Sequence, residues 1–338
     1  MNATILSNNE KQNHYPVLLN EILSIISPRN GGTFIDCTLG QGGYSKSILS
    51  FSKTKVIALD RDASCYKIAE EIEKKNKSRF IFYNIKFSEI DKIEKKFFPI
   101  KGIIFDLGYS YKQIKDPTKG LSFENKGPLN MKMGLNEFSA SEVVNRLSEK
   151  DLQLIFKYFG EEKDSKKIAK KIILERSKKE IDTEKLVKII NSVKINKNKK
   201  IHNATKVFQA LRIFVNKEIS ELIYGLIKSV QIIDTNGLII AVSFHSLEDR
   251  IIKYFFRSLS EQRKISRYYP ELLKEKNVLR LIKKKPILPS KEEIKLNKPS
   301  RSAKLRYAIK INNIESFEKD FLKKFQKLLE IENLYRKL

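Results

Sequence analysis

The feature that most constrains the fold is an apolar segment that runs into a glycine-rich turn, followed by a second apolar segment that ends on an acid. The first segment, residues 33–37, predicts a buried strand, and Gly40 and two further glycines follow it. Glycine lets the backbone turn sharply and approach a ligand closely. The second segment, residues 55–60, ends on Asp60, where a carboxylate can reach the hydroxyls of a ribose. This unit predicts a site for a nucleoside-containing cofactor.

Apolar strand patterns and helical patterns alternate through the first third of the chain. Helical spacing is found at 17–26, 43–52, 63–76 and 88–96, and strand patterns at 33–37, 55–60, 79–84 and 102–107. Such alternation predicts a parallel sheet with helices on both faces.

The alternation stops after Gly108. Residues 109–203 predict a mainly helical insertion, with helices at 140–147, 149–159, 162–178 and 183–193 and a lysine-rich loop at 194–200. The α/β pattern then resumes with a long helix at 204–233, a strand at 237–244, a helix at 248–259 and two strands at 278–283 and 304–311 that can close the sheet as an antiparallel pair. We therefore predict a discontinuous core (14–108 plus 204–312), an insertion (109–203) and a C-terminal helix (313–338).

The charge of the chain indicates a polyanionic partner. There are 67 basic and 40 acidic residues, a formal net charge of +27, which favours nucleic acid. The alternative is that the positive charge only reflects a biased amino-acid composition, because the chain is rich in Lys, Ile and Asn and lacks Trp. No run of about eighteen apolar residues and no signal-peptide pattern occurs, so we expect a cytoplasmic protein without membrane contact.

The cysteine and histidine content gives no support for a metal. Cys37 and Cys65 are the only cysteines and are not spaced as a CxxC pair. No cluster in the sequence has metal-ligand spacing, so no metal site is predicted.

Two kinds of cofactor compete for the glycine turn. A dinucleotide site has the fingerprint G-x-G-x-x-G/A, and Ser45 at the third small position matches it only in part. Asp36 before the turn and Asp106 at the end of a later strand add acids at the same sheet edge. Three acids suit the cationic S-adenosylmethionine better than a pyrophosphate.

Eight short segments along the chain give further information about its family. They occur at residues 14–21, 36–43, 59–62, 105–108, 127–133, 204–213, 243–250 and 301–306. In sequence and in order they resemble the bacterial 16S ribosomal RNA (cytosine-N4)-methyltransferase family. Tyr44 stands where that family usually has histidine.

The resemblance implies a fold, a reaction and a set of site residues. The implied fold is a Rossmann-like class I methyltransferase sheet with a helical insertion. The implied reaction transfers a methyl group from S-adenosylmethionine to the exocyclic N4 of a cytosine in the decoding region of 16S rRNA, with the small ribosomal subunit as partner. Carried over by position, the cofactor would be contacted by Gly42, Gly43 and Tyr44 at the turn, Asp60 at the ribose, Phe87 at the adenine, and Asp106 and Gln113 near the methionine end.

Three residues are candidates for the chemistry, each with a plainer alternative. Asp106 either orients the reacting amine or holds the cofactor. Tyr109 either stacks on the base, as aromatic residues do with splayed bases, or packs within its loop. His245 contacts the substrate or acts as a proton acceptor, or it caps the helix that follows.

The Lys and Arg residues of the insertion, the segment 301–306, Gln209 and Arg212 are candidates for RNA contact. For Gln209 and Arg212 the alternative is internal salt bridging and helix capping. Two other functions remain open at this stage: an rRNA-binding assembly factor that has lost catalysis, and an NAD-dependent oxidoreductase. The oligomeric state, monomer or homodimer, is left open.

Overall fold

Seven strands form one sheet in the computed structural model, which describes residues 16–109, 113–114, 116–123, 127–194, 202–260, 277–313 and 317–338. The strands are β1 (Gly32–Asp36), β2 (Thr54–Leu59), β3 (Phe80–Tyr83), β4 (Ile100–Asp106), β5 (Leu238–Ser243), β6 (Leu279–Leu281) and β7 (Lys304–Lys310).

The strand order is β3-β2-β1-β4-β5-β7-β6. The first five strands are parallel, β7 is antiparallel to β5, and β6 is antiparallel to β7. The chain order reverses between β1 and β4, and such a reversal opens a crevice beyond the carboxyl ends of the strands. The predicted Rossmann-like sheet and its closing antiparallel pair are confirmed.

Helices cover both faces of the sheet. They are α1 (Leu19–Ile26), α2 (Gly43–Leu49), α3 (Tyr66–Asn76), α4 (Ala140–Arg146), α5 (Glu149–Phe159), α6 (Ser165–Arg176), α7 (Thr183–Val193), α8 (Thr205–Asn216), α9 (Glu218–Ile232), α10 (Ser246–Ser260), α11 (Lys291–Leu296) and α12 (Glu318–Glu332). The helix predicted near 88–96 consists of two short 3₁₀ turns, Phe87–Lys92 and Lys95–Phe97. The loop predicted at 194–200 lies outside the described residues except for Lys194. None of the described helices is both long enough and apolar enough to span a membrane.

The apolar core forms one cluster on each face of the sheet. The cluster under α1–α3 includes Phe34 and Val56, and the cluster on the other face includes Ile35 and Phe105. The second cluster runs on into the insertion, where Phe156 is fully buried. The helical insertion therefore shares its core with the sheet, which fixes its position over one face.

The single helix predicted over 204–233 is wrong, because the chain forms two helices there. Lys217 adopts a left-handed conformation with φ of 50° and ends α8. The carboxylate of Glu332 accepts hydrogen bonds from the N–H groups of Ile219 (3.0 Å) and Ser220 (2.9 Å), so it caps the start of α9. The apolar periodicity continues through the break, since α8 and α9 bury the same stripe. A contact from the far end of the chain therefore sets the boundary.

The capping carboxylate should make folding stability depend on pH. Burial raises the pKa of Glu332 from 4.5 to about 7, although hydrogen bonds from Ser220 and Ile219 oppose the shift. The folded state then binds the proton more tightly than the unfolded state, so this contribution is complete below pH 4.5 and is lost as the pH rises through 7. As the pH rises, the free energy of unfolding should therefore fall less in Glu332→Gln than in the unsubstituted protein, by up to about 3 kcal/mol.

Urea unfolding at pH 4.5 and pH 7.5 measures this difference. Glu330→Gln, at an exposed position of the same helix, is the matched control and should keep the pH dependence of the unsubstituted protein. If the free energy of unfolding falls equally between the two pH values in Glu332→Gln and in the unsubstituted protein, Glu332 is not the source of the pH dependence.

Candidate active site at the carboxyl edge of the sheet

A cavity of about 470 Å³ opens where the carboxyl ends of β1, β2, β4 and β5 meet. One end is formed by the glycine turn and by the residues that follow β2. The other end is formed by α8, the start of α9 and the turn between β5 and α10. Among the residues that line it are Gly40, Gly43, Tyr44, Asp60, Asp62, Phe87, Asp106, Tyr109, Gln113, Arg212, Glu218 and His245. Of the residues that the resemblance implies for cofactor binding and of the three candidates for the chemistry, all but Gly42 are thus brought to one cavity.

Asp60 braces the glycine turn and borders the cavity. Its Oδ2 accepts the N–H of Gly40 at 2.9 Å, and its Oδ1 accepts the N–H of Asp62 at 2.8 Å. Burial raises the pKa of Asp60 above its ordinary range. A contact of this carboxylate with ribose stays a prediction.

The three predicted turn contacts differ in position. Gly43 lines the cavity, and a Cβ there would lie 2.2 Å from Pro16 Cγ. Gly42, the exception, does not line it, and a Cβ there would lie 2.6 Å from Ile72. The side chain of Tyr44 is 3% exposed and its hydroxyl donates to the carbonyl of Val17. The Tyr44 side chain therefore fixes the turn to the chain that precedes α1.

Asp36 lies behind the turn and is not among the residues that line the cavity, although the sequence suggests that it faces the cofactor. It is fully buried, and its Oδ2 accepts the hydroxyl of Ser45 at 2.7 Å. Burial raises its pKa to about 7. Asp36 therefore supports the turn from inside the protein.

Asp106 at the end of β4 stands between the two ends of the cavity. Its backbone N–H donates to the hydroxyl of Thr38 at 3.1 Å, and its buried Oδ1 has no hydrogen-bond partner among the described residues. Burial raises the pKa of Asp106 well above its ordinary value, and the negative charges of Asp36 and Glu248 add to the shift. A buried, unpartnered carboxyl group of this kind suits a cation or an amine donor.

Gln113 reaches the cavity through Asp62, which the sequence reading missed. Gln113 Nε2 and Lys119 Nζ donate to Asp62 Oδ2 at 2.9 and 2.6 Å. Burial alone would raise the pKa of Asp62, but hydrogen bonds from Lys119, the backbone of Ser64 and Gln113 outweigh it and hold the pKa at about 2. Asp62 therefore fastens the start of the insertion to the loop after β2.

Phe87 lies beside Phe105, with the ring centroids 5.4 Å apart in an edge-to-face arrangement. Gly225 on α9 leaves room for it, because a Cβ there would lie 2.6 Å from the Phe87 ring. The next residue, Ser88, donates its N–H and its hydroxyl to Glu221 at 3.1 and 2.8 Å. The ring thus has a fixed position in the cavity wall, and its contact with adenine stays a prediction.

A polar cluster closes the far end of the cavity. Arg212 Nη2 donates to Glu218 Oε2 at 2.9 Å, and the Arg212 guanidinium lies 4.6 Å from the centre of the Tyr109 ring. His245 Nδ1 accepts the N–H of Glu248 at 3.3 Å. His245 therefore does form the predicted helix cap and also lines the cavity. Glu218 and Glu248 were not among the predicted site residues.

Glu218, His245 and Glu248 place possible metal-ligand atoms within 4.8 Å of one another. The sequence reading missed this group because Glu218 lies on a different helix from the other two. The Arg212 guanidinium already supplies a cation at 2.9 Å from Glu218. A metal ion at this position would therefore have to share Glu218 with the guanidinium.

The predicted RNA-contacting residues lie in different surroundings. Gln209 Nε2 donates to the carbonyl of Phe159 at 3.2 Å, and Lys304 and Arg306 pair with Asp249 at 3.1 and 2.7 Å. Arg301 lines the cavity. Of this group, Arg301 and Arg212 are therefore the cations placed at the site.

Comparison with known proteins identifies the family. The model of the MraW methylase family matches residues 11–311. A protein named ribosomal RNA small subunit methyltransferase H from Rickettsia bellii is 44% identical over 306 residues, which cover 89% of this chain and 100% of that protein. Its namesake from Rickettsia akari is 43% identical and covers 89% of this chain and 99% of its own. A solved rRNA methylase from Streptococcus thermophilus, 9% identical, covers 86% of this chain and 96% of its own with a TM-score of 0.38. On the family match and the sequence identities, the chain belongs to the MraW methylase family.

Proposed function

We propose that the protein transfers a methyl group from S-adenosylmethionine to the exocyclic N4 of a cytosine in 16S rRNA. The observation that carries this proposal is the position of Asp106 between the glycine turn and the polar cluster, where its buried Oδ1 has no hydrogen-bond partner among the described residues. That position suits a group that meets both a cationic cofactor and an amine.

The residues at the turn end fit S-adenosylmethionine, which when bound supplies an electrophilic methyl group on a sulfonium. Asp60 offers a carboxylate for the ribose, and Phe87 an apolar face for the adenine. Asp106 offers an unpaired oxygen and a site rich in negative charge for the cationic end. Together these groups favour a cationic cofactor. They do not provide the positive charge that would bind a pyrophosphate, so they argue against a dinucleotide.

The chain's own residues supply positioning and proton acceptance. The lone pair of cytosine N4 is delocalised into the ring, so most of the rate must come from holding N4 in line with the methyl group. The bound cofactor would supply the methyl group to N4, and its sulfur would keep the electron pair of the C–S bond. One N4 proton then leaves, and the ionised carboxylate of Asp106 accepts it.

Tyr109 offers a stacking surface for a base. Its side chain is 40% exposed, and the Arg212 guanidinium covers one face of the ring. A base that flanks the target cytosine would stack on the other face and extend a stack whose inner end is fixed by a cation, since aromatic stacking is the usual way to hold an unpaired base.

The insertion, residues 109–203, is proposed as the RNA-facing unit beside the core. It begins directly after β4 and carries Tyr109 and Gln113 to the cavity. The net charge of +27 suits a substrate of the size of rRNA or the small ribosomal subunit. A partner of that kind places the protein in the cytoplasm.

One experiment tests the proposal as a whole. The protein is incubated with labelled S-adenosylmethionine and undermethylated small subunits or free 16S rRNA, and the modified nucleoside is then mapped. Label in N4-methylcytosine at one position is the expected result. If the cofactor binds but no label is transferred, the enzyme assignment fails and the non-catalytic assembly factor is favoured.

The ribose contact can be tested by substituting Asp60. Asp60→Ala should weaken S-adenosylmethionine binding by about 1–3 kcal/mol, which is the range for loss of charged hydrogen bonds. Asp60→Asn keeps an acceptor for the N–H of Gly40, so it separates loss of the ribose contact from loss of the turn. Calorimetric titration measures both, with Asp91→Asn at an exposed site as the control. An unchanged Kd in Asp60→Ala would show that the ribose is bound elsewhere.

A further inference from the structure

Unpartnered polar atoms are concentrated at the cavity. Among the residues that the structure describes, seven buried side-chain polar atoms lack a hydrogen-bond partner, and four of them are Asp106 Oδ1, Arg212 Nε, Glu218 Oε1 and His245 Nε2. All four residues line the same cavity. Buried polar atoms are nearly always paired, so their concentration here indicates a ligand with a polar edge.

The Arg212–Glu218 pair leaves one donor and one acceptor unused. Arg212 Nη2 donates to Glu218 Oε2 at 2.9 Å, which fixes both side chains. Within the described parts of the chain, Arg212 Nε and Glu218 Oε1 have no hydrogen-bond partner. The guanidinium is held from a second direction by the Tyr109 ring at 4.6 Å. The pair is therefore rigid before any ligand binds.

His245 adds a second donor, and its tautomer follows from its surroundings. Nδ1 accepts the N–H of Glu248 at 3.3 Å, so the neutral imidazole carries its hydrogen on Nε2. Nε2 lies 3.1 Å from Glu248 Oε1 but outside the geometry of a hydrogen bond. The cluster thus presents two donors, on Arg212 and His245, and one acceptor, on Glu218.

We propose that Arg212, Glu218 and His245 read the Watson–Crick edge of the target base and select cytosine over uracil. Cytosine presents one donor, the N4 amino group, and two acceptors, N3 and O2, which is the complement of the cluster. Uracil presents O4 and N3–H in place of the amino group and N3, so its O4 would face the carboxylate of Glu218. Buried polar groups left unpaired in this way give strong discrimination.

This inference rests on the proposed function and assigns residues to its substrate end. The amino group has two hydrogens, so it can donate one to Glu218 while the other faces Asp106. Arg212, Glu218 and His245 therefore determine which base is selected, whereas Asp106 takes part in the methyl transfer itself.

The test compares two RNAs that differ only at the mapped position, cytidine or uridine, and measures their Kd values with S-adenosylhomocysteine present so that no transfer occurs. Glu218→Gln should keep its carbonyl oxygen on Arg212 and turn its amide N–H₂ toward the base, so the acceptor becomes a donor. We expect the preference for cytidine to fall by about 10-fold or more. Arg212→Lys, which keeps the charge but lacks Nε, should also reduce it.

Asp91→Asn is the control, because it removes one negative charge at an exposed position that does not line the cavity. The ratio of the two Kd values should stay as in the unsubstituted protein. Retained S-adenosylhomocysteine binding shows that each variant is folded.

The outcomes separate this inference from the proposed function. An unsubstituted protein that methylates no cytosine contradicts the proposed function itself. If methylation occurs but Glu218→Gln and Arg212→Lys keep the full preference for cytidine, the reading role is overturned. Stoichiometric binding of Zn²⁺ or Mn²⁺ to the RNA-free protein, lost in Glu218→Gln, would also overturn it and make the cluster a metal site.

Discussion

Replacing Asp106 with asparagine is expected to lower kcat for methyl transfer by a factor of about 10² to 10⁴, the range for loss of a positioned proton acceptor. Asparagine keeps the shape of the side chain but cannot accept a proton from N4. Its amide N–H₂ would also face the donor hydrogens of the amino group. Single-turnover transfer from labelled S-adenosylmethionine to undermethylated rRNA measures the chemical step directly.

The pH profile gives this prediction a second readout. Burial, Asp36 and Glu248 raise the pKa of Asp106, and only the ionised form accepts a proton. The rate of the unsubstituted protein should therefore rise with pH through that pKa, whereas Asp106→Asn should lack this step. Asp91→Asn, at an exposed site, should keep both the rate and the profile. A rate within about threefold of the unsubstituted protein would exclude Asp106 as the acceptor.

The fold was predictable because each strand and helix has its own pattern of apolar residues in the sequence. Predicted strands such as 55–60 and 102–107 differ from β2 and β4 by one or two residues, since burial on both faces makes them continuous apolar runs. The break at Lys217 was not predictable, because the 3.6-residue period runs through it unchanged. It depends on Glu332, which is more than a hundred residues away and caps α9 from outside.

The site was predictable where residues follow the ends of parallel strands. Asp60 follows β2 directly and Asp106 is the last residue of β4, and the carboxyl ends of neighbouring strands share one edge. Glu218 and Glu221 were missed because they lie on a helix that reaches the cavity only through tertiary packing. Asp36 was placed on the wrong side of its turn because its partner, Ser45, was read only as a small residue of the glycine fingerprint.

The second large effect is expected at Asn216, which joins the insertion to the end of α8. Its side chain is fully buried: Oδ1 accepts the N–H of Met133 at 2.9 Å, and Nδ2 donates to the carbonyl of Met131 at 2.9 Å. Met131 has a left-handed backbone with φ of 61°, so these bonds also hold a strained segment. Asn216→Ala leaves a buried donor and acceptor unpaired, each costing about 1–3 kcal/mol. We therefore expect the free energy of unfolding to fall by about 3–5 kcal/mol.

Urea unfolding measures this loss, and Asn191→Ala at an exposed position of α7 should change stability by less than about 0.5 kcal/mol. A loss below about 1 kcal/mol in Asn216→Ala would show that backbone groups of the insertion find other partners. Arg61 also donates to the carbonyl of Asn216, at 2.7 Å, and Glu218 lies two residues further on. The same substitution should therefore weaken discrimination between cytidine and uridine at temperatures where the variant is still folded. Stability and base selection would then depend on one buried amide, because the residue that fastens the insertion lies only two residues before Glu218.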